Sequence, residues 1–331
     1  MSTKHRILVV GVGSIGERHV RCFQQTNRST VSICEINEGL RGDIADRYQL
    51  TETYGDWNEA LAADFDAAVV CTPAHRHIPI AIDVAKQGRH LLIEKPLSVD
   101  LDRIDELEDV VESNDVHAMV AYVMRLQPAL TAMKQAIDSN RFGRPVHVIG
   151  TSGQHFPTYR PAYRDIYYRD RATGGGAIQD ALTHLINSAE WLVGPISQLA
   201  ADCSHQVLEG VTVEDTANVI ARHKDILAAY TINQDQAPNE SSLTVVCERG
   251  TARFESHRGR WRWQIDPNDQ WHDEPCRSLE RDDSFIAQAN RFLDVLEGTA
   301  NPTCSLAEAI QTLRTNQAIL RACESRTWTS P

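Results

Sequence analysis

The chain has 331 residues, of which 42% are apolar and 24% are charged, so it can bury a large core and has the length of about two domains. Its formal net charge of −12 argues against nucleic acid or an anionic membrane as the main partner, because such surfaces bind clustered lysine and arginine. No apolar run approaches the roughly 20 residues of a membrane span, and the first residues lack the apolar segment of a signal peptide, so we expect a cytoplasmic protein.

Short apolar runs alternate with helical stretches over residues 1–124, which is the pattern of parallel βαβ units. The predicted strands are residues 7–10, 31–34, 67–71, 90–93 and 117–120, and the predicted helices are residues 15–25, 39–48, 57–62, 77–87 and 101–113. The first, third and fourth of these strands are largely apolar, which is typical of strands covered on both faces. We therefore predict an N-terminal Rossmann domain with a doubly wound parallel sheet.

The rhythm changes after residue 124. A helix is predicted at residues 129–139 and a strand at 146–151, before a long loop rich in Tyr, Arg and Pro. Further strands are predicted at residues 196–203, 216–222, 226–233, 242–247, 251–256 and 261–265, and two helices at 284–297 and 305–325. Because these strands follow one another closely, hairpins should join them. We predict a C-terminal α/β domain over residues 125–331, built on an open, mainly antiparallel sheet.

A glycine motif, Gly11-Val12-Gly13-Ser14-Ile15-Gly16, lies directly after the first predicted strand and opens the first predicted helix. Gly11 permits a tight turn, Gly13 lets the backbone approach a pyrophosphate, and Gly16 lets helix and strand pack closely. The helix N-terminus can then hold the phosphates. This context predicts a dinucleotide site, with a solvated glycine-rich turn as the alternative.

Glu35 lies at the end of the second predicted strand, roughly 20 residues after the glycine motif. A carboxylate at that place accepts hydrogen bonds from the adenosine ribose hydroxyls and repels a 2′-phosphate. We therefore predict NAD as the cofactor and NADP as less favoured, although Arg41 would weaken that preference.

Three further segments carry a resemblance to a known family. They are Cys71-Thr72-Pro73-Ala74-His75-Arg76-His77, Glu94-Lys95-Pro96, and the run from Gly174-Gly175-Gly176 to Asp180 and His184. In order and spacing they resemble the glucose-fructose oxidoreductase / inositol dehydrogenase / rhizopine catabolism superfamily over nearly the whole chain. The resemblance implies an NAD(P)-dependent oxidoreductase acting on CH–OH groups. It also implies that the C-terminal sheet supports contacts in a homo-oligomer, a dimer or a tetramer.

The resemblance assigns site residues as well. It places Lys95, Asp180 and His184 at the family's catalytic positions. It implies that Thr72, Pro73 and His77 line the nicotinamide-side ribose and phosphates. The cofactor contacts expected on the motifs as a whole are Gly11, Val12, Gly13, Ser14, Ile15, Gly16, Glu35, Cys71, Thr72, Pro73, His77, Glu94 and Lys95. His75 departs from the asparagine common at its position, so its role stays open.

The chemistry of alcohol oxidation calls for the same residue types. Loss of a hydride to nicotinamide requires loss of the hydroxyl proton, which His184 can accept near neutral pH. Lys95 follows a predicted strand at the carboxyl end of the sheet, where its charge would stabilise an alkoxide. Asp180 precedes His184 by about one helical turn, so a helix would project both from one face. Asp180 would then hold a neighbouring hydroxyl or pair with Lys95.

The predicted loop at 155–171 concentrates four arginines and four tyrosines, namely Arg160, Arg164, Arg169, Arg171, Tyr159, Tyr163, Tyr167 and Tyr168. Guanidinium groups bind carboxylates or phosphates, and tyrosines suit sugars. The substrate contacts expected from this loop and from the resemblance are Lys95, Tyr122, Arg125, Arg160, Tyr163, Arg164, Asp180 and His184. A solvated or dimer-contact loop is the alternative. Leu185 replaces an acidic residue of many sugar-acting members, which leaves the substrate open.

Other functions compete with a small-molecule dehydrogenase acting on a sugar-like substrate. One is redox-assisted glycosidase or lyase chemistry with retained NAD, and another is a non-catalytic, dinucleotide-binding ligand sensor on the same scaffold. Retention of Lys95, Asp180 and His184 favours an enzyme over a sensor. Metal binding is not expected, because the histidines form no HExxH motif or Cys/His cluster. The eight cysteines form no CxxC pair and are expected to be free thiols.

Overall fold

The computed structural model of the chain describes residues 4–331, so the first three residues of the predicted N-terminal domain lie outside the described residues. Two compact units make up the chain. The first runs to Val123 and includes Leu279–Ile310, and the second contains Met124–Ser278 and Gln311–Pro331. The sequence had assigned residues 279–310 to the C-terminal domain, but they group with the N-terminal unit.

The first unit contains a six-stranded parallel sheet. Its strands are β1 (His5–Val10), β2 (Ser29–Cys34), β3 (Thr53–Tyr54), β4 (Ala67–Val70), β5 (His90–Ile93) and β6 (Ala118–Val120). Their spatial order is β3-β2-β1-β4-β5-β6, which is the Rossmann order. The predicted doubly wound parallel sheet is therefore confirmed. Only β3, with two residues, was not predicted, because so short a strand leaves no alternation to detect.

Helices lie between these strands: α1 (Ser14–Gln25), α2 (Glu38–Tyr48), α3 (Trp57–Ala62), α4 (His77–Lys86) and α5 (Ile104–Ser113). A later helix, α9 (Asp283–Leu296), packs on α1. The rings of Phe23 and Phe292 meet edge to face at 6.3 Å, and Arg21 Nε lies 2.5 Å from Asp282. This contact explains why a helix far along the chain belongs to the first unit.

The second unit contains an eight-stranded sheet. Its strands are β7 (Pro145–Gly153), β8 (Gln198–Ser204), β9 (Thr216–His223), β10 (Ile226–Asn233), β11 (Glu240–Cys247), β12 (Gly250–Glu255), β13 (Arg260–Gln264) and β14 (His272–Glu274). The order is β14-β13-β12-β11-β7-β10-β9-β8, and only β7 and β10 pair in parallel. The predicted mainly antiparallel sheet is confirmed. The three-residue β14 was not predicted.

One face of this second sheet is covered and the other is open. The helices of the unit are α6 (Pro128–Asp138), α7 (Phe156–Tyr159), α8 (Thr183–Val193) and α10 (Leu306–Ser325), whose first turns belong to the first unit. Leu130, Ile186 and Ile319 from α6, α8 and α10 share one buried cluster with Val148 and Val245 of the sheet. Each fully buried aliphatic side chain contributes about 1.5–3 kcal/mol.

The open face carries exposed apolar side chains. Ile149, Ile220 and Leu227 are 40%, 53% and 49% exposed, and strand register aligns Ile149 with Ala229 and Ala229 with Ile220. A hollow of about 630 Å³ lies on this face beside Arg326.

No helix within residues 4–331 is both long and apolar enough to cross a membrane.

Candidate functional site

The glycine motif forms a tight turn between β1 and α1. Gly11 has φ +83°, and a Cβ there would lie 3.1 Å from the Cys71 backbone. A Cβ on Gly16 would lie 1.9 Å from the Gly11 carbonyl oxygen, so only glycine allows the helix to approach the turn. Gly13 caps α1 and has no heavy atom within 4 Å of an added Cβ. The result is a helix N-terminus facing open space, which fits a pyrophosphate.

Glu35 directly follows β2 and lies beside this turn. Its carboxylate accepts hydrogen bonds from the main-chain N–H groups of Val12, at 3.1 Å, and Asn37, at 2.9 Å. The guanidinium of Arg41 donates to the Glu35 carbonyl oxygen at 2.7 Å. The carboxylate thus lies next to the pyrophosphate cradle, where an adenosine ribose is expected, and Arg41 is close to the same residue.

The loop after β4 is held by a buried histidine. His77, the first residue of α4, has Nε2 2.7 Å from the Thr72 carbonyl oxygen and Nδ1 3.0 Å from that of Pro96. Burial lowers the pKa of His77. The ring therefore joins two loops of the predicted cofactor site through main-chain oxygens. His75 is exposed, as is Pro73.

Lys95 follows β5 in a loop anchored by its neighbour. The Glu94 side chain is buried, its Oε1 lies 2.7 Å from His19 Nε2, and its Oε2 accepts the Lys95 main-chain N–H at 3.0 Å. Burial raises the pKa of Glu94, but the hydrogen bond from His19 and the charges of His19 and Lys95 outweigh it and leave the pKa below its usual value. The carboxylate thus stays ionised and fixes the main chain at Lys95, which is half-buried.

In the second unit, the Gly174–Gly176 run makes room for main-chain and carboxylate oxygens. A Cβ on Gly175 would lie 2.1 Å from the Tyr168 carbonyl oxygen, and Gly176 has φ +92°. The carboxylate of buried Glu214 accepts hydrogen bonds from the Ile178 main-chain N–H and from Arg171, and its main-chain carbonyl oxygen accepts the Ala177 N–H. Glu214 therefore holds the main chain just before Asp180 through both its side chain and its backbone.

Asp180 is buried, with both carboxylate oxygens engaged by the predicted substrate loop. Arg160 Nη1 lies 2.5 Å from Oδ2, and the Tyr167 hydroxyl donates to Oδ1 at 2.6 Å. Tyr167 was not among the predicted site residues. Its only sequence signal was its place among the tyrosines of this loop. Burial and the negative charge of Asp180 raise the pKa of the Tyr167 hydroxyl.

The backbone around Asp180 differs from the predicted helix. Ile178–Leu182 forms a turn of π-helix, and α8 begins at Thr183. Asp180 and His184 therefore do not share one regular α-helix, because Asp180 lies in the π turn and His184 lies in α8. Such π turns are frequent at functional sites. His184 lies in the first turn of α8 and is half-buried.

Polar bonds inside the second unit hold α8 against α10. Buried Glu190 accepts hydrogen bonds from the hydroxyls of Thr312, at 2.7 Å, and Thr315, at 2.9 Å. Burial raises the pKa of Glu190.

Arg125 is 3% exposed, and its Nε donates to Asn187 Oδ1 at 2.7 Å.

Several predicted substrate contacts are core residues. Tyr163 is 1% exposed, packs with Phe156 and Tyr168, and donates its hydroxyl to the Glu209 carbonyl oxygen at 2.8 Å. Such burial does not support a substrate contact for Tyr163, and the same holds for Arg125. Tyr122, in the first unit, is 1% exposed. Arg164 is exposed and stacks on the Tyr163 ring at 5.2 Å.

Comparison with known families identifies both units. The model described as "Oxidoreductase family, NAD-binding Rossmann fold" matches residues 5–122, and that of the "GFO/IDH/MocA C-terminal domain" matches residues 130–253. The chain belongs to the GFO/IDH/MocA oxidoreductase family. The resemblance found in the motifs is thereby confirmed, as is the prediction of an NAD-binding Rossmann domain.

Curated relatives in this family include sugar and polyol dehydrogenases. Levoglucosan dehydrogenase of Pseudarthrobacter phenanthrenivorans is 30% identical over 178 residues, covering 54% of this chain and 46% of that enzyme. The rhizopine catabolism protein MocA of Rhizobium meliloti is 30% identical over 199 residues, covering 58% of each. An inositol 2-dehydrogenase of Rhizobium meliloti is 29% identical over 198 residues, covering 59% of this chain and 57% of that enzyme. The chain thus spans about half the length of the curated relatives it matches.

Solved structures of GFO/IDH/MocA proteins share the fold. Levoglucosan dehydrogenase in complex with NADH and levoglucosan has a TM-score of 0.90 at 21% identity, with 99% of each chain covered. The WlbA dehydrogenase from Bordetella pertussis, in complex with NADH and UDP-GlcNAcA, has a TM-score of 0.84 at 23% identity, with 100% of this chain and 99% of that chain covered. At these identities the likeness establishes the shared fold.

Gly13→Ala should weaken cofactor binding without weakening the fold. An added methyl group meets no atom of the protein within 4 Å, but it would obstruct the close backbone approach of a pyrophosphate. We expect an unchanged melting temperature and NADH affinity lowered roughly 10-fold, equivalent to about 1.4 kcal/mol, in a fluorescence titration.

Gly42→Ala is the matched control, because Gly42 in α2 also has nothing within 4 Å of an added Cβ. This variant should bind NADH as the wild type does. In the same assay the wild type should bind NADH more tightly than NADPH, since Glu35 would repel a 2′-phosphate. Wild-type NADH affinity in Gly13→Ala would contradict the assignment of the turn to the pyrophosphate.

Proposed function

We propose that the protein is an NAD-dependent dehydrogenase that transfers a hydride between nicotinamide and a secondary alcohol or ketone of a cyclic polyol, sugar or sugar derivative. The observation that carries the proposal is the presence of Lys95, Asp180 and His184 in a chain that matches the family in both of its units. The first unit then binds NAD, and the second supplies substrate contacts and the oligomer interface.

In this proposal each of the three residues has a chemical task. His184 accepts the hydroxyl proton as the carbon loses its hydride, and returns it in the reverse direction. Lys95 stabilises the alkoxide by its positive charge. Bound NAD supplies the hydride acceptor. Buried Asp180 accepts hydrogen bonds from Arg160 and Tyr167 and holds these two side chains for contact with a neighbouring hydroxyl of the substrate.

The names of relatives and the chemistry of the loop support the proposed substrate class. The curated relatives named above include a levoglucosan dehydrogenase and an inositol 2-dehydrogenase, whose names indicate cyclic compounds with several hydroxyl groups. Carboxylate, guanidinium and phenol groups meet at Asp180, Arg160 and Tyr167. Such groups are suited to a ring rich in hydroxyls. Screening levoglucosan, inositols, aldoses and sugar acids for net NADH formation tests the proposal, and conversion without net NADH would favour retained-NAD lyase chemistry.

Lys95→Ala and His184→Ala should each lower turnover on the identified substrate by roughly 10²-fold or more, as expected for lost electrostatic or acid–base assistance. NADH binding and the melting temperature should change little. The measurement is steady-state kinetics with an NADH titration on the same preparations. Lys86→Ala and His257→Ala, at exposed positions, are the matched controls and should behave as wild type.

Near-native turnover in either active-site variant would remove that residue from the mechanism. Equal losses in the control variants would mean that the effect is on folding rather than chemistry.

Arg160→Ala should raise the Michaelis constant for the substrate by an amount equivalent to roughly 1.5–3 kcal/mol, because a charge-assisted contact to Asp180 and the substrate is lost. Arg164→Ala is the matched control from the same loop, since its guanidinium stacks on Tyr163 and is exposed. The Michaelis constants of both variants and their NADH dissociation constants decide between the two roles. Wild-type kinetics in Arg160→Ala would mean that Arg160 does not contact the substrate and that the loop has a structural role.

We further propose that the open face of the eight-stranded sheet binds a second copy of this chain. Ile149, Ile220 and Leu227 expose apolar side chains on that face, and Ala229 pairs with both Ile149 and Ile220. Large exposed apolar surfaces of this kind mark association sites. A self-complementary contact of this sheet with itself would remove these side chains from water.

Ile220→Glu should therefore convert the assembly into a monomer of 37.0 kDa, because the contact would bury an unpaired carboxylate. Light scattering coupled to size exclusion measures the mass. Leu101→Glu, at an exposed apolar residue of the first unit, should leave the wild-type mass unchanged. A monomeric wild type, or an unchanged mass in Ile220→Glu, would refute this interface.

A further inference from the structure

A histidine and a glutamate form a buried polar pair within the first unit. His19 of α1 is 0% exposed and Glu94 is 6% exposed, and Nε2 of the histidine lies 2.7 Å from the glutamate carboxylate. The imidazole ring packs edge-on against Phe285 at 5.7 Å and near Phe23 at 6.3 Å. The pair thus joins the glycine-motif helix to the loop after β5, shielded from water by aromatic rings.

A buried histidine–carboxylate pair carries a desolvation penalty that apolar core residues do not. Removing a carboxylate from water costs several kcal/mol, and well-packed apolar residues often stabilise a fold as much or more. The His19 Nδ1 atom is buried without a hydrogen-bond partner among residues 4–331. A role in stability alone therefore does not account for the pair.

The second carboxylate oxygen points to a different role. It accepts the main-chain N–H of Lys95 at 3.0 Å. A continuous path therefore runs from α1 through His19 and Glu94 to the backbone of the lysine. Because His19 lies about one turn after Gly16, the path begins beside the helix end that fits a pyrophosphate.

We propose that His19 is a positioning residue for Lys95, acting through Glu94. It fixes the position of the lysine relative to the nucleotide-binding end of α1. This inference rests on the proposed function for its kinetic consequence. Without the imidazole donor, the carboxylate loses its fixed orientation and the Lys95 backbone loses its anchor. Misplacing a reacting group by about 1 Å costs up to roughly 10²-fold in rate.

The test compares His19→Leu, His19→Gln and His223→Leu. His19→Leu removes the donor, and His19→Gln keeps an N–H close to the position of Nε2. His223→Leu removes another buried histidine, which contacts the Gly194 carbonyl oxygen and the Tyr230 hydroxyl in the second unit. This variant controls for the loss of any buried imidazole.

Two readouts are measured, one of which needs no turnover. In cofactor-free protein, the rate at which an amine-reactive reagent labels Lys95 is mapped by mass spectrometry against Lys4, Lys86, Lys134 and Lys224. In His19→Leu this relative rate should rise, kcat should fall roughly 10- to 100-fold, and the Michaelis constant should change little. His19→Gln should restore both properties. His223→Leu should lower the melting temperature but leave Lys95 labelling and kcat near wild type.

Unchanged Lys95 labelling in folded His19→Leu would overturn the proposal, as would equal changes in His223→Leu. If His19→Leu does not fold, Glu94→Gln replaces it, since the amide keeps the shape but not the carboxylate, and the same rise in labelling is expected. A wild type without turnover on any sugar or polyol would refute the proposed function. The labelling comparison would still decide whether His19 positions Lys95.

Discussion

Backbone groups of parallel strands that are covered on both faces can bond only to neighbouring strands, and this requirement organises the whole nucleotide-binding unit. Ile7 and Val9 of β1 and Val69 of β4 are fully buried, so these strands must run side by side in register. Once they do, the loops that follow them emerge at one edge of the sheet. This constraint places four features at that edge, namely the glycine turn, Glu35, Thr72 and Lys95.

Buried carboxylates impose the next level of order. Glu94, Asp180 and Glu214 are each almost wholly buried, and an unpaired carboxylate in such a place would cost several kcal/mol. Each is therefore surrounded by donors, including His19 for Glu94 and Arg160 for Asp180. These bonds tie the loops around each carboxylate to neighbouring elements. Glu94, for example, bonds the main chain of Lys95.

The second unit shows how packing changes the roles suggested by residue type. Arginine and tyrosine in the 155–171 segment suggested a single substrate surface. Tyr163 instead joins a buried aromatic cluster, whereas Tyr167 reaches Asp180. Residue type alone does not separate these cases, because the two tyrosines have similar local surroundings. The difference arises from the strands and loops against which each ring packs.

By itself, the sequence determined the two kinds of sheet and the glycine turn with Glu35, and it predicted Lys95, Asp180 and His184 as site residues. These features depend on periodicity and on short motifs, which are local properties of the chain. The tertiary structure alone decided that α9 packs on α1, that the helix before His184 contains a π turn, and that His19 reaches Glu94. Those outcomes depend on contacts between residues far apart in the chain, which no local pattern records.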